Sequence, residues 1–392
     1  MGEIDTSADN ETFRQQLREA FAAANPGKPG ASAEERRQWV REYHGKLMDM
    51  RANGPSWPRE YGGMDLPFEK QVIYAEESAK ARVPGQLGTG YSICGPTIIK
   101  YATSDQKERW LPALLSSREA WAQGFSEPEA GSDLPNLKTS AVRDGDYYIV
   151  NGQKLWSSNG HSADRLFTLV RTGTPGPDQP KHWGISYLII DANTPGITVR
   201  PIKEMTGGTD FAEIFFTDVR VPITDRIGDE HLGWGLVRTS LGHERAAGTL
   251  NTALNYRRVV TEVLQLAKDL GVTSDPLIRQ QLADFEARVR ILYVSGARTI
   301  ADITSKGEPG PASSVSRLFV TSFEQDLHEF VVNMLGAHGM LARKDPHSIE
   351  KGRWVWGFLR TRASTIGAGT AEIQKNTVGE RVLGLPHEPS VK

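Results

Sequence analysis

The sequence predicts an α+β protein in which a helical segment, a β-rich segment and a second helical segment follow one another along 392 residues. Hydrophobic residues recur at helical spacing up to about residue 118. They alternate between about 119 and 230, with frequent Gly and Pro, and return to helical spacing afterwards. Elements segregated in this way form separate layers. We therefore predict an N-terminal helical domain (1–118), a middle β-barrel domain (119–230) and a C-terminal four-helix bundle (231–392).

The overall composition excludes several classes of protein. A formal net charge of −2 argues against a nucleic-acid-binding surface. The single cysteine, Cys94, leaves no intrachain disulfide framework and no thiolate-rich metal site, and the nine histidines show no metal-binding spacing. The chain has no run of about 18 apolar residues, and its N-terminus does not have the pattern of a signal peptide. We expect a cytoplasmic protein without a membrane span or a bound metal.

Local signals place helices in the N-terminal segment. Ser32 and Glu35 have the spacing of a capping box, which predicts a helix that begins there. Thr103 is predicted to begin another helix, which runs to Leu115. Between them, one predicted helix face repeats apolar side chains at Phe68, Val72, Ala75 and Ala79.

The middle segment is organised around residues 122–160, which place hydroxyls, glycines and one Trp on short extended stretches. Pro128 forces the chain out of its strand and leaves Ser126 at the strand end, and Gly131 lets the backbone come close to a ligand. Two dipeptides, Asp144-Gly145 and Asn151-Gly152, predict hairpin turns. Further strands are predicted at 166–170, 184–190 and 213–216, with a loop at 205–208.

The C-terminal segment shows long amphipathic helices with short breaks at 271–275 and 307–311. Three apolar stripes predict the faces that pack in an antiparallel bundle. They are Val259, Val263, Leu266 and Leu270; Leu282, Phe285, Val289 and Leu292; and Phe319, Phe323, Phe330 and Met334.

Two motifs carry a family resemblance. FSEPEAGSD at 125–133, followed by NGQKLWSSNG at 151–160, resembles the paired flavin-binding signature of the acyl-CoA dehydrogenases. The likeness extends from WPREYGG at 57–63 to GTAEIQ at 369–374. In type, the chain is most similar to the bacterial heterotetrameric acyl-CoA dehydrogenases of steroid side-chain degradation. Without the resemblance, a surface hairpin with serine-rich turns is the plainer interpretation of 122–160.

The resemblance implies an FAD cofactor. Trp156 would lie against the face of the isoalloxazine, with serines at its polar edge, and Ser132 would meet either the CoA portion of the substrate or the flavin phosphates. The full set of cofactor-binding residues that it implies is Gln123, Phe125, Ser126, Gly131, Ser132, Trp156, Ser157, Ser158, Thr370 and Glu372.

Glu244 is the candidate catalytic base. On a helix, its neighbours three and four positions away include no cation, so a local ion pair cannot form. Such a carboxylate is either solvated or held in a dry pocket with a raised pKa, as a general base requires. Most family members place the base before the Gly-Thr of the C-terminal motif, where this chain has Ala368. A minority carry it immediately before an arginine, as Glu244 precedes Arg245 here. By resemblance, Arg245 helps to hold the CoA end of the substrate or the local charge balance, and without the resemblance it is a surface arginine.

The implied function is an acyl-CoA dehydrogenase that introduces an α,β double bond into an acyl-CoA thioester, with an electron-transfer flavoprotein as acceptor. The segment 266–276 lacks the Arg and Phe-Gly of homotetrameric relatives. A homotetramer or a heterotetramer with a second acyl-CoA dehydrogenase-like subunit therefore stays open, with preference for the second. Two alternative functions also stay open. The chain could be a flavin-dependent monooxygenase or oxidase, or a non-catalytic partner subunit.

Overall fold

The computed structural model describes residues 3–246, 249–307, 310, 313–343 and 345–387, and forms two compact units, Met1–Glu244 and Arg245–Lys392. Helices precede and follow a β-sheet along the chain, which confirms the predicted fold class. The predicted three-domain boundaries stay a prediction. Within the described ranges, none of the helices combines the length and the apolar character needed to cross a membrane.

Five helices precede the sheet in the described part of the first unit: α1 (Asn10–Ala24), α2 (Ala33–Asp49), α3 (Phe68–Ala81), α4 (Gly95–Tyr101) and α5 (Ser104–Leu115). The predicted capping box is present, because the Glu35 amide donates to Ser32 Oγ (3.1 Å) and the Ser32 amide donates to Glu35 Oε2 (2.9 Å). Thr103 caps α5 as predicted.

The predicted buried face of α3 is wrong. Of the four expected residues only Ala75 is buried, and the inner face carries Lys70, Ile73, Tyr74 and Glu77. These charged groups tolerate burial because Lys70 is hydrogen-bonded to backbone carbonyls and Glu77 is ion-paired. The Lys70 ammonium donates to the Ala8 carbonyl (2.7 Å), while the Glu77 carboxylate meets Arg14 (2.9 Å), Arg18 (2.8 Å) and Lys80 (2.8 Å). Apolar spacing alone cannot find a helix face that is buried through ion pairs.

The sheet has eight strands in the described chain: β1 (Trp121–Gly124), β2 (Ser140–Asp144), β3 (Tyr147–Ser158), β4 (Arg165–Arg171), β5 (Ile185–Asp191), β6 (Ile197–Ile202), β7 (Phe211–Pro222) and β8 (Arg226–Ile227). Their order is β6-β7-β3-β2-β4-β5-β8, and β1 pairs in parallel with β4. The predicted turn at Asp144-Gly145 joins β2 to β3.

The second predicted turn, at Asn151-Gly152, is wrong. These residues lie inside β3, at a register shift against β7. Gly152 has a φ of 147°, and a Cβ there would lie 2.6 Å from Thr139 Oγ1. The Asn151 Nδ2 donates to Asp218 Oδ1 of β7 (3.0 Å), and the Asp218 backbone amide donates to Asn151 Oδ1 (2.9 Å). An Asn-Gly pair suits a β-bulge as well as a turn, and here it forms the bulge.

The helix α6 (Gly233–Ala246) follows the sheet and packs on it within the first unit. Leu236 and Val237 of α6 join a buried cluster that includes Trp110 of α5 and Trp121 of β1. This cluster fixes the start of α6 against both the helices and the sheet.

The second unit contains α7 (Thr249–Asp269), α8 (Pro276–Lys306), α9 (Ser313–Met334), α10 (Arg353–Thr361) and α11 (Ala371–Thr377) among its described residues. The three predicted stripes meet in one core, with Val263, Phe285 and Phe323 at its centre. The break at 271–275 is confirmed, whereas the break at 307–311 lies largely outside the described residues. At Gly296 a Cβ would lie 2.6 Å from the Leu250 Cα, so this glycine lets α7 and α8 approach closely.

His44 is a buried histidine whose two ring nitrogens are both engaged. Nε2 lies 2.9 Å from the Pro84 carbonyl and Nδ1 lies 3.2 Å from Nδ2 of Asn53. Because a carbonyl can only accept, Nε2 carries the proton and Nδ1 accepts, which is the neutral form. Burial lowers the pKa of His44 from 6.5 to about 4.

Acid is therefore expected to destabilise the first unit through His44. Below about pH 6.5 the unfolded chain takes up a proton that the native chain refuses until about pH 4, at a cost of up to about 3 kcal/mol. Urea unfolding across this pH range measures the effect. His44→Phe should remove this part of the pH slope, and the exposed control His161→Asn should keep it. An unchanged slope in His44→Phe contradicts the prediction.

Candidate active site

The end of β1 turns residues 125–127 out of the sheet. Gln123 pairs with Phe167 of β4, and a Cβ on Gly124 would lie 2.8 Å from Thr168 Oγ1, so β1 lies tightly on β4. Phe125 is buried. Ser126 is half-buried, and its carbonyl accepts a hydrogen bond from the Leu155 amide (2.9 Å). This bond ties the end of β1 to the end of β3.

Lys154 and Glu127 form a buried ion pair behind this strand end, which the sequence analysis missed. The Lys154 Nζ lies 2.8 Å from Glu127 Oε1 and donates to the Phe125 carbonyl (3.0 Å). The Glu127 carboxylate also accepts from the amides of Lys138 (2.6 Å) and Thr139 (2.9 Å). A lysine at an inward position of β3, two residues after the glycine bulge, was the available signal.

The two members of this pair respond differently to burial. Burial lowers the pKa of Lys154 to about 8, with Glu127 opposing that shift. The pKa of Glu127 is lowered, because Lys154 and the hydrogen-bond donors outweigh its own desolvation. The carboxylate therefore stays ionised at neutral pH and holds residues 127–139 against β3.

Trp156 lies at the end of β3 with its side chain 56% exposed. Its φ of 61° is unusual for a bulky residue, and its ring meets Phe211 of β7 edge-on at 6.0 Å. Ser157 points inward, and its buried hydroxyl has no hydrogen-bond partner in the described part of the chain. Ser158 is half-buried and pairs with Phe211. The strand end therefore presents a flat ring beside hydroxyl groups.

A loop at 205–208, as predicted, lies next to this strand end. The Glu204 carboxylate accepts from the amides of Asp210 (2.5 Å) and Phe211 (3.1 Å), and the Asn159 amide donates to the Asp210 carbonyl (2.7 Å). These bonds fix the base of the loop beside the Trp156 turn.

Gly131 and Ser132 lie in an exposed turn that follows Glu127. The Glu127 amide donates to the Ala130 carbonyl (3.0 Å), and the Ala130 amide donates to the Glu127 carbonyl (3.1 Å). These two hydrogen bonds close the turn. A Cβ on Gly131 would meet no described protein atom within 4 Å. The glycine therefore leaves open space on its outer side.

Glu244 lies on α6 and is half-buried. One turn earlier, the buried Ser240 hydroxyl lies 2.7 Å from Thr97 Oγ1 and 3.2 Å from the Tyr187 hydroxyl. Burial raises the pKa of Tyr187 well above its usual value, and the Glu244 carboxylate adds to the rise. The side chain of Arg245 lies outside the described residues.

The Tyr187 hydroxyl contacts α6 at Ser240, and the Tyr187 ring packs at the β1 end. It stacks on Phe167 (6.5 Å) and meets Phe125 edge-on (5.8 Å). Phe125 directly precedes Ser126, so Tyr187 lies between the β1 end and the turn of α6 that precedes Glu244.

The remaining predicted residues belong to the second unit. Thr370 caps α11 by accepting from the Ile373 amide (3.2 Å), and Glu372 is exposed in the first turn. Ala368 adopts left-handed backbone with a φ of 56°.

The chain runs from helices through a sheet to helices, and two strand ends that carry serines lie together in the first unit. The sequence profiles of the acyl-CoA dehydrogenase N-terminal, middle and C-terminal domains match residues 7–118, 122–219 and 231–383. The chain therefore belongs to the acyl-CoA dehydrogenase family and is an oxidoreductase that acts on a CH–CH bond. The family is generally FAD-dependent.

Named relatives agree over nearly the whole chain. The acyl-CoA dehydrogenase IpdE1 of Mycobacterium tuberculosis (strain ATCC 25618 / H37Rv) is 35% identical, covering 97% of this chain and 99% of that protein. FadE26 of the same organism is 32% identical over 98% of each. Among solved structures, the Tcur3481-Tcur3483 steroid ACAD gives a TM-score of 0.83 at 28% identity, over 98% of this chain and 100% of that one. The ChsE4-ChsE5 complex from Mycobacterium tuberculosis gives 0.79 at 31%, over 97% and 98%.

Breaking the buried pair should unfold the strand ends. Lys154→Met leaves the Glu127 charge buried without its partner, and we expect a loss of about 3–5 kcal/mol in the free energy of unfolding. Denaturant unfolding measures it. The matched control is Lys138→Met, which removes an exposed pair with Glu129 (2.6 Å) and should leave the free energy of unfolding nearly unchanged. Equal costs for the two variants would refute the structural importance of the buried pair.

Proposed function

We propose that this chain is an FAD-dependent acyl-CoA dehydrogenase in which Glu244 removes the α-proton of an acyl-CoA thioester, giving a trans-2-enoyl-CoA. One observation carries the proposal. The hydroxyl of Ser240, one turn before Glu244 on α6, lies 3.2 Å from the Tyr187 hydroxyl, and the Tyr187 ring packs against Phe125 at the strand end that carries Ser126. Tyr187 thus contacts both the helix that carries the expected base and the expected flavin-binding strand end.

The residues present fit an isoalloxazine. The largely exposed Trp156 indole offers an apolar face, and the half-buried Ser126 and Ser158 offer hydroxyl and amide groups for a polar edge. The Leu155 to Ser126 hydrogen bond holds the two strand ends together. We assign FAD to Gln123, Phe125, Ser126, Gly131, Ser132, Trp156, Ser157 and Ser158 of the first unit.

The chemistry of the chain's own residues starts with proton removal. An α-proton beside a thioester is a very weak acid, so the base must be partly shielded from water and rigidly held. Glu244 meets the first condition because it is half-buried, and α6 meets the second through the Ser240 hydrogen bonds. When bound, FAD supplies the acceptor for the hydride that leaves the β-carbon. Arg245 and Ser132 are proposed to hold the CoA portion of the substrate.

Glu244→Gln tests the base directly. The amide keeps the size of the side chain but cannot take a proton, so we expect dehydrogenation to fall by at least about 10²–10⁴-fold. The visible spectrum and content of bound flavin should be unchanged, which separates chemistry from cofactor loss. The control is Glu108→Gln, an exposed carboxylate on α5, which should keep full activity. Activity retained in Glu244→Gln rejects Glu244 as the base, and unchanged activity of its complex with a second subunit favours a non-catalytic partner subunit.

For the substrate class we propose bulky acyl groups, including steroid side-chain acyl-CoA. Two observations support this choice. Ala368 stands where most family members carry a carboxylate, so a bulky side chain is missing there. The Tcur3481-Tcur3483 structure is described as a steroid ACAD. A panel of steroid side-chain, branched and straight-chain thioesters tests the proposal, and the highest kcat/KM for straight chains would reject it.

We further propose that this chain works with a second acyl-CoA dehydrogenase-like subunit and passes electrons to an electron-transfer flavoprotein in the cytoplasm. The segment 266–276 lacks the family's Arg and Phe-Gly, and the ChsE4-ChsE5 structure is a complex of two named components. Rapid reoxidation of the reduced enzyme by oxygen alone would instead favour an oxidase.

The purified chain alone is expected to bind less than one FAD per chain, because contacts from the second subunit are missing. Co-expression with that subunit should raise the FAD-to-chain ratio and the mass of the complex. Absorbance of released flavin and light scattering measure both. A homotetramer of the isolated chain that is saturated with one FAD per subunit would contradict the heteromeric proposal.

A further inference from the structure

We propose that Tyr187 is a positioning residue for Glu244, because its buried hydroxyl, with those of Ser240 and Thr97, fixes the turn of α6 that carries the carboxylate. This inference rests on the proposed role of Glu244 as the base. It assigns a purpose to a polar cluster in the interior of the first unit that the proposed mechanism does not otherwise use.

Three elements contribute to the cluster. The Tyr187 hydroxyl on β5 donates to Cys94 Sγ (3.6 Å), on the turn before α4, and lies 3.2 Å from the Ser240 hydroxyl on α6. Ser240 lies 2.7 Å from Thr97 Oγ1 on α4. All four side chains are buried. Burying hydroxyls is costly unless each is hydrogen-bonded, so the arrangement holds α4, β5 and α6 in one relative position.

Because Glu244 lies on the same helix as Ser240, the hydrogen bonds of Ser240 also restrict the position of Glu244. Ser240 and Glu244 are four residues apart, so their side chains lie on the same face of α6 about 6 Å apart along its axis. The neighbouring Thr239 hydroxyl lies 3.2 Å from the Tyr101 hydroxyl, which adds a second tie between α6 and α4. With two adjacent residues bonded, α6 cannot rotate or slide without breaking buried hydrogen bonds.

The Tyr187 ring provides the other half of the constraint. It stacks on Phe167 and meets Phe125 edge-on, and these rings lie at the β1 end that precedes Ser126. Beyond its burial, the titratable groups that act on Tyr187 are Cys94, before α4, and Glu244, on α6. One side chain therefore touches the strand end through its ring and the base-bearing helix through its hydroxyl.

The test is Tyr187→Phe in the full-length enzyme with FAD and any partner subunit. The variant keeps the ring and removes only the hydroxyl, so the packing on Phe125 and Phe167 should persist. With the acyl-CoA thioester that the wild type uses best and a dye acceptor, we expect kcat to fall about tenfold or more while KM changes less than about twofold. The acid limb of the kcat/KM profile should move by about half a pH unit or more.

The matched control is Tyr148→Phe. Tyr148 is also a buried sheet tyrosine, and its hydroxyl donates to Glu230 (2.9 Å) and accepts from Arg226 (2.7 Å). Its loss should lower the unfolding midpoint without changing the kcat to KM relation or the acid limb. If Tyr187→Phe fails to fold, Ser240→Ala removes the same link from the α6 side and is read in the same way.

The outcomes separate the two proposals. An inactive Glu244→Gln together with a Tyr187→Phe that matches the wild type in kcat and in the acid limb overturns the positioning role and leaves the base intact. An active Glu244→Gln overturns the proposed function itself. FAD content and the dissociation constant of the enoyl-CoA product, measured for Tyr187→Phe, should stay near wild type. A large loss of either assigns Tyr187 to binding and also overturns the positioning role.

Discussion

The geometry of the candidate site depends on the buried contact between Lys154 and Glu127. Removing two charges from water is costly, and the cost is offset here because each group has further partners: the Phe125 carbonyl for the ammonium, and two backbone amides for the carboxylate. One contact thus fixes the end of β1, the turn after it and the last third of β3. The serines and the tryptophan of the proposed flavin site lie on the segments that this contact joins.

The first unit contains two kinds of buried polar cluster. Around Lys154 the buried groups are charged and tie strands to a loop, so the arrangement tolerates little change. Around Tyr187 the buried groups are neutral hydroxyls and a thiol, which tie a helix to the sheet at a lower desolvation cost. Neutral groups suit the neighbourhood of a carboxylate proposed as a base, because a nearby fixed charge would change its pKa directly.

Much of the fold could be predicted from the sequence, since periodicity and capping signals are local. The capping box at Ser32, the helix that begins after Thr103 and the strands after Leu166 follow from such signals. The predictions were wrong where residues distant in the sequence determine the local structure. The face of α3 is buried through ion pairs to α1, and Asn151-Gly152 forms a bulge because Asp218 and Thr139 lie opposite. The Lys154 pair and the Tyr187 cluster likewise join residues far apart in sequence, so no local pattern reveals them.

The backbone at Trp156 is in a strained conformation. A bulky residue with a positive φ is disfavoured by about 1–3 kcal/mol, and a glycine there would remove that strain. The ring is nevertheless mostly exposed to solvent, so its packing against other side chains offsets little of this conformational strain. Stability of the fold alone does not account for a tryptophan with this backbone conformation, whereas the proposed stacking of a flavin on its exposed indole would.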